Sequence, residues 1–395
     1  MDYSFAKRVQ QLKPSVIREI LKLSSDPNVI PFSAGNPAPE AFPSEQVAEI
    51  TNDIFGNNPI GALQYSVTEG YTPLRNLLKD YMKNKYNSFK DSDELIITSG
   101  AQQVAELTTK ALCNEGDTVI CESPSFVGVL NAIRSFGVNL CGIPLDQDGM
   151  NLEKLERALK EEKNVKFIYI IPNFQNPSGI TTSWEKRKAI YELAKKYGVM
   201  ILEDNPYGEL RVSGEHIPTI KSIDEDEIVI YAGSFSKVLS PGLRVGWCVA
   251  PKTVCSKIIV CKQVSDVHTT ILSQLIADKF MRDYDFDSHI AKIREIYKIK
   301  MGIMLDALKK DMPSSVTWNI PEGGLFIWCD LPKHADMLGY CKETVQRGVA
   351  VVPGNAFLTD ENIPCTSIRL NFSTPTNEQI VKGVEILGKT AKELF

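Results

Sequence analysis

The run Ile228–Gly246, IVIYAGSFSKVLSPGLRVG, decides how this chain reads. Its first five residues, Ile228–Ala232, carry no charge and read as a strand buried on both faces. The strand empties into Gly233-Ser234-Phe235-Ser236-Lys237, and Pro241-Gly242-Leu243-Arg244 follows. A lysine at the mouth of an apolar strand is partly desolvated, which favours its neutral, nucleophilic form. Ser234, Ser236 and the fixed charge of Arg244 offer donors to an anion beside that amine. Together they suit a Schiff base formed next to a phosphate.

Outward from this run the pattern repeats. Leu95–Thr98, Thr118–Cys121, Phe167–Ile171, Met200–Glu203 and Val245–Val249 also read as strands, several of them apolar on both faces. Gln103–Leu112, Leu152–Lys160 and Trp184–Tyr197 show helical spacing between them. The alternation predicts an α/β fold with a mostly parallel sheet between helices. After Ser265 the character changes. Helices are expected at Ile271–Phe280, His289–Lys310 and Met337–Arg347, and strands at Gly324–Cys329, Val349–Val352 and Ser367–Phe372. A last helix starts near Asn377 with Thr376 as its N-cap. The expected division is an N-terminal segment, 1–45, packing on the small domain and active site; a large domain, 46–280; and a smaller α+β C-terminal domain, 281–395.

Composition narrows the function classes. A chain of 395 residues with 43% hydrophobic and 24% charged residues is ordinary for a globular protein with a large core. A net charge of −5 argues against a nucleic-acid binder driven by phosphate neutralisation. No apolar run reaches the length of a membrane span, and Met1–Arg8 lacks the features of a secretion signal. Nine cysteines without a Cys-x-x-Cys pair, and that missing signal, favour a reducing cytoplasm. The four histidines are scattered, and no metal site is expected.

Three further segments complete a constellation. Leu95–Thr98 leads through Ser99-Gly100-Ala101-Gln102 into a helix, a turn whose free N–H groups can face an anion. Asp204 follows the buried run Val199–Leu202, where a carboxylate calls for a cationic partner. A pyridinium nitrogen is such a partner. Tyr207, three residues on, and Asn176, in Asn176-Pro177-Ser178-Gly179, can donate to a ring oxygen. An amine, an acid for a ring nitrogen, donors for a ring oxygen and a phosphate cradle are what pyridoxal 5'-phosphate (PLP) requires.

The ordered set Ser99-Gly100-Ala101-Gln102, Asn176-Pro177-Ser178-Gly179, Asp204-Asn205-Pro206-Tyr207, Ser234-Phe235-Ser236-Lys237 and Arg369-Leu370-Asn371-Phe372 resembles the fold-type I, class I/II aminotransferases over almost the whole chain. The resemblance implies Lys237 as the Schiff-base lysine and Asp204 as the ring-nitrogen partner. It assigns Asn176 and Tyr207 to the ring oxygen. Ser99, Gly100, Ala101, Gln102, Ser234, Ser236 and Arg244 would surround the phosphate. Phe126 falls where relatives commonly stack a tyrosine on the ring, so the π-face is kept and the hydroxyl lost. Arg369 resembles the clamp for the substrate α-carboxylate, with Gly35 beside it. Tyr65 matches the tyrosine that reaches the neighbouring subunit's phosphate, which implies a homodimer with shared active sites. Lys13–Leu23 resembles the substrate-covering helix of the 2-aminoadipate and kynurenine branch, with Ser15 and Arg18 on one side and Arg18 suited to a distal carboxylate.

The implied activity moves an amino group between an L-amino acid (2-aminoadipate, glutamate, leucine or an aromatic one) and a 2-oxo acid such as 2-oxoglutarate. Two alternatives share these residues. One is another PLP reaction, β-elimination or decarboxylation. The other is a ligand sensor of the kind fused behind a winged helix-turn-helix in some regulators, for which the chain before Pro14 leaves no room.

Overall fold

The computed structural model describes residues 3–10 and 28–395. The expected substrate-covering helix, with Ser15 and Arg18, lies outside the described residues. The first strand, β1 (Ile30–Pro31), precedes a large sheet built from β2 (Asp93–Thr98), β3 (Thr118–Ser123), β4 (Asn139–Asp146), β5 (Gly149–Met150), β6 (Val165–Ile170), β7 (Met200–Asp204), β8 (Val229–Ser234) and β9 (Gly246–Pro251). The order across this sheet is β2-β9-β8-β7-β6-β3-β4-β5.

Strands β4, β3, β6, β7 and β8 run parallel to one another, while β9 is antiparallel to both β8 and β2, and β5 to β4. Two antiparallel steps restore direction, so β2 points the same way as β8. The carboxyl ends of β2, β3, β6, β7 and β8 therefore open on one edge of the sheet, where ligands bind in folds of this kind. Period-2 alternation splits the side chains between two cores. Phe167 and Tyr169 of β6 join the main core, while Ile168 and Ile170 face the cluster formed with Leu155, Ile190 and Tyr191.

The remaining strands are β10 (Thr317–Trp318), β11 (Phe326–Asp330), β12 (Val349–Ala350), β13 (Val352–Pro353) and β14 (Ser367–Asn371). An antiparallel sheet of order β10-β11-β14-β13 forms the smaller layer. The expected single strand Val349–Val352 is in fact two. Val349 and Ala350 pair in parallel with β1, and Val352 and Pro353 pair with β14. The chain changes sheets there, with Val349, Ala350, Val351 and Val352 all fully buried, so an uninterrupted apolar run gave no sign of the break.

Helices Ala101–Leu112, Trp184–Tyr197, Ile271–Asp283, Phe286–Asp311 and Met337–Gln346 form where the periodicity predicts them. Thr376 caps the last helix, Asn377–Leu394, in a reciprocal capping box with Gln379. Strand β4 and the helix Lys252–Asp266 were not legible. Only Ile143 of β4 is buried, and its sequence, NLCGIPLD, mixes apolar and polar residues without strict alternation. Among the described residues, no helix is long and apolar enough to cross a membrane.

Candidate active site

The site grows from the carboxyl ends of these strands. Asp204 closes β7 beside Ala232 of β8. Tyr169, on the adjacent β6, donates its hydroxyl to Asp204 Oδ2 at 2.9 Å. The other oxygen, Oδ1, is buried and has no protein partner. Burial raises the Asp204 carboxyl to about 7, even though the Tyr169 bond pulls the other way. A buried acceptor left open in this way is costly unless a donor arrives from outside the chain.

Lys237 follows the end of β8. Its ammonium donates to the carbonyl of Gly35 at 2.7 Å. Burial, then the charges of Arg369 and Arg244, lower its pKa to about 8. That range leaves a usable fraction of free amine near neutral pH.

Arg369 stands in the middle of β14, 3% exposed. It donates to the carbonyls of Ser33 (2.8 Å) and Ala34 (3.1 Å) and to Asn176 Oδ1 (3.0 Å). Its guanidinium lies 4.2 Å from the Phe326 ring centre and 5.0 Å from that of Phe357, near enough for cation–π attraction. Burial lowers its pKa to about 10, so it stays charged at neutral pH. Among the described residues it has no carboxylate partner, and its Nε has no acceptor. A buried cation satisfied only by neutral groups is poised for an anionic ligand. Asn176 also donates to the Tyr207 hydroxyl at 3.5 Å, tying the two expected ring-oxygen donors together.

At the other end, Gly100 has φ +83°, and a side chain there would drive its Cβ into Arg244 Nη2. Arg244 donates to the Ser99 carbonyl at 3.1 Å and reaches the Ser236 hydroxyl at 3.5 Å. The Ser234 hydroxyl accepts the backbone N–H of Ser236 at 3.0 Å. Gly35, Ala101, Gln102, Phe126, Asn176, Asp204, Tyr207, Ser234, Ser236, Lys237, Arg244 and Arg369 all line one cleft of about 390 Å³.

Two expected residues stand elsewhere. The Ser99 side chain turns away from the cleft and donates to Asp266 at 2.8 Å. Tyr65 is 81% exposed, its ring nearly perpendicular to that of His268. Sequence reasoning missed Tyr169, the aromatic pair around Arg369, and Glu122. The Glu122 carboxyl, pushed up to about 8 by burial, accepts the Ile171 N–H at 2.9 Å and flanks the loop that carries Asn176. Its place in the apolar-looking strand TVICES was the one available signal.

The arrangement fits PLP with an amino acid. The chain offers a buried amine, an open carboxylate oxygen, an uncompensated guanidinium and a tight glycine turn under an arginine. The family described as "Aminotransferase class I and II" matches residues 27–387.

The chain belongs to the class I and II aminotransferases.

Three relatives place this aminotransferase more closely. It is 42% identical to the aromatic-amino-acid aminotransferase 1 of Thermococcus litoralis, over 100% of this chain and 95% of the relative. The kynurenine aminotransferase of Pyrococcus horikoshii, whose crystal structure holds PMP, shares its fold with a TM-score of 0.94, 38% identity and coverage of 98% and 97% of the two chains. The alpha-aminoadipate aminotransferase LysN of Thermus thermophilus, complexed with N-(5'-phosphopyridoxyl)-L-leucine, has a TM-score of 0.91 at 35% identity, covering 98% and 97%. The aminotransferase is thus a fold-type I enzyme that uses PLP.

Proposed function

We propose that this PLP-dependent aminotransferase takes apolar, aromatic or 2-aminoadipate-type L-amino acids as donors and passes their amino group to 2-oxoglutarate. The observation that carries this reading is Arg369, a buried guanidinium without a counter-anion, sharing a cleft with the amine of Lys237. An α-carboxylate supplies the missing charge and sets the α-carbon against the lysine. Phe126, Val127, Val129, Ile171 and Phe326 give the same cleft apolar walls, which suits large apolar side chains. The aromatic, kynurenine and aminoadipate activities in the relatives' names support the same range.

Bound PLP supplies an aldehyde for amines and a ring that accepts the electrons of a broken Cα–H bond. Lys237 would hold the group through its amine, and its lowered pKa would let that amine take and return the Cα proton. Asp204, oriented by Tyr169, would keep a ring nitrogen protonated, since its Oδ1 has no protein partner. Asn176 and Tyr207 would donate to the ring oxygen, and Phe126 would pack on the ring. Arg244, Ser234, Ser236 and the turn at Gly100–Gln102 would hold the phosphate.

The active unit in this proposal is a homodimer. Ile60, Leu63, Tyr65 and Val67 are exposed together on and just after the short helix Pro59–Leu63, an apolar patch suited to a second copy. Tyr65 would reach the partner's phosphate from there. Arg18 would supply charge on the substrate side. Among the described residues lining the cleft the cations are Lys237, Arg244 and Arg369, all with other tasks, so a distal carboxylate needs a further one. The free state of all nine cysteines supports a cytoplasmic setting.

The deciding experiment is a panel of 2-aminoadipate, leucine, aromatic amino acids and kynurenine against 2-oxoglutarate. Glutamate should accumulate with each accepted donor. Ammonia and pyruvate in place of glutamate would refute transamination. Borohydride reduction followed by peptide mapping should label Lys237, and a label on another lysine removes its assignment.

A further inference from the structure

Behind the turn Ser99–Gln102 lies a charged knot that the chemistry above does not use. Lys262, on the helix Lys252–Asp266, has a fully buried side chain, 0% exposed. Its ammonium donates to both oxygens of Asp266 at 2.8 Å, and to Gln103 Oε1 and Thr269 Oγ1 at 3.0 Å. Asp266 also accepts from the Ser99 hydroxyl at 2.8 Å and from Gln103 Nε2 at 2.7 Å. Gln103 closes the ring by accepting the Ser99 backbone N–H at 2.7 Å. The Ser99 residue is therefore gripped at two points, its hydroxyl and its N–H.

The same segment anchors the loop that carries Tyr65. Gln274 donates to the Thr269 carbonyl at 2.6 Å and accepts the Tyr71 N–H at 2.7 Å. Apolar residues of equal volume would join these helices about as well, because burying the Lys262 ammonium gives back much of the pair's attraction as desolvation. What only the charged pair does is fix the rotation of Gln103 and Ser99. Burial pushes the Asp266 carboxyl up, yet the donors Lys262, Gln103 and Ser99 outweigh it and hold it below its usual range.

We propose that Lys262 and Asp266 are positioning residues for the cofactor phosphate: the buried Lys262, paired with the half-buried Asp266, pins Ser99 and so aims the helix start at Ala101 and Gln102, whose N–H groups would receive the phosphate. The inference rests on the proposed placing of the phosphate at this turn. The pair touches neither cofactor nor substrate and acts through Ser99 and Gln103.

The test compares PLP with pyridoxal, which lacks the phosphate, by absorbance titration of the full-length chain stripped of cofactor. The double variant K262M/D266N removes both charges, so no buried charge is left alone. The Kd for PLP should rise about tenfold, the worth of one good hydrogen bond, while that for pyridoxal stays within about twofold. The phosphorus NMR resonance of bound PLP should also move. Ser99→Ala, which deletes one hydroxyl and threatens the fold least, should give a selective loss of about threefold and decides the matter should the double variant not fold. Equal weakening of both ligands, or no weakening of either, overturns the inference. Arg244→Gln separates the two layers. If it also fails to weaken PLP selectively, the phosphate does not sit at this turn and the underlying reading has failed. If it succeeds where the K262M/D266N variant does not, only the positioning role is lost.

Discussion

Asp204 shows at the scale of one residue how burial prepares a site. Its folded pKa, raised from 3.8 to about 7, means that between these values the folded chain without cofactor keeps a proton that the unfolded chain has lost. The folded state binds more protons in that window, so its stability falls as pH rises. The shift sets an upper limit of about 4 kcal/mol on the effect. Asp204→Asn should therefore melt higher than the unsubstituted chain at about pH 8, both without cofactor, with the gap closing toward about pH 4. A gap that ignores pH would show that the carboxylate is not buried as described. Glu122, raised to about 8, leaves a residual slope in both proteins. Residues that end an apolar strand, such as Asp204, or follow one closely, such as Lys237, were legible because a charge in that place is costly without a task. Tyr169 was not. It sits inside the strand VKFIYI, and its hydroxyl finds Asp204 only through the register of β6 against β7.

At the scale of elements, the turn after β2 depends on a missing side chain. Gly100 lies in the left-handed region, and any Cβ would meet the Arg244 guanidinium. Gly100→Ala should strain the backbone by about 1–2 kcal/mol and displace Arg244. PLP affinity should fall by about tenfold or more while the melting temperature without cofactor drops only modestly. Unchanged affinity would place the phosphate elsewhere. The strand–turn–helix pattern here was readable from Leu95 to Leu112, since hydrophobic periodicity switches at the glycine. The helix Lys252–Asp266 was not readable. It puts Val260 and Val264 outward and buries Lys262, the reverse of an amphipathic pattern. Likewise nothing within Val349–Val352 announces a change of sheet; the partner strands that impose it lie far away in sequence.

For the whole molecule, two predictions concern what lies beyond one described chain. Leu63, 72% exposed in the patch around Tyr65, belongs to the proposed contact with a second copy. Sedimentation should give twice the 44.0 kDa chain mass, and Leu63→Glu should shift the species toward one chain and weaken PLP binding with it. A dimer that survives this substitution with full PLP affinity would move the interface elsewhere. Arg18→Ala should raise the KM for 2-aminoadipate by about tenfold or more and leave that for leucine within about twofold. Equal losses for both would exclude charge recognition by Arg18. The sequence reached these partners through resemblance alone, because periodicity describes one chain and is silent about its neighbours.

The strand pair β1–β12 has one more outcome. Ile30 lies against Val349, and the carbonyls just after β1 receive Arg369 and Lys237. A growing polypeptide emerging from the ribosome holds the early half of this arrangement for almost the entire time of its synthesis before the late half exists. The catalytic centre is thus assembled after translation, by contacts of very long sequence separation, and such closures are slow. Activity should lag behind the recovery of helical signal when the denatured protein is returned to buffer with PLP.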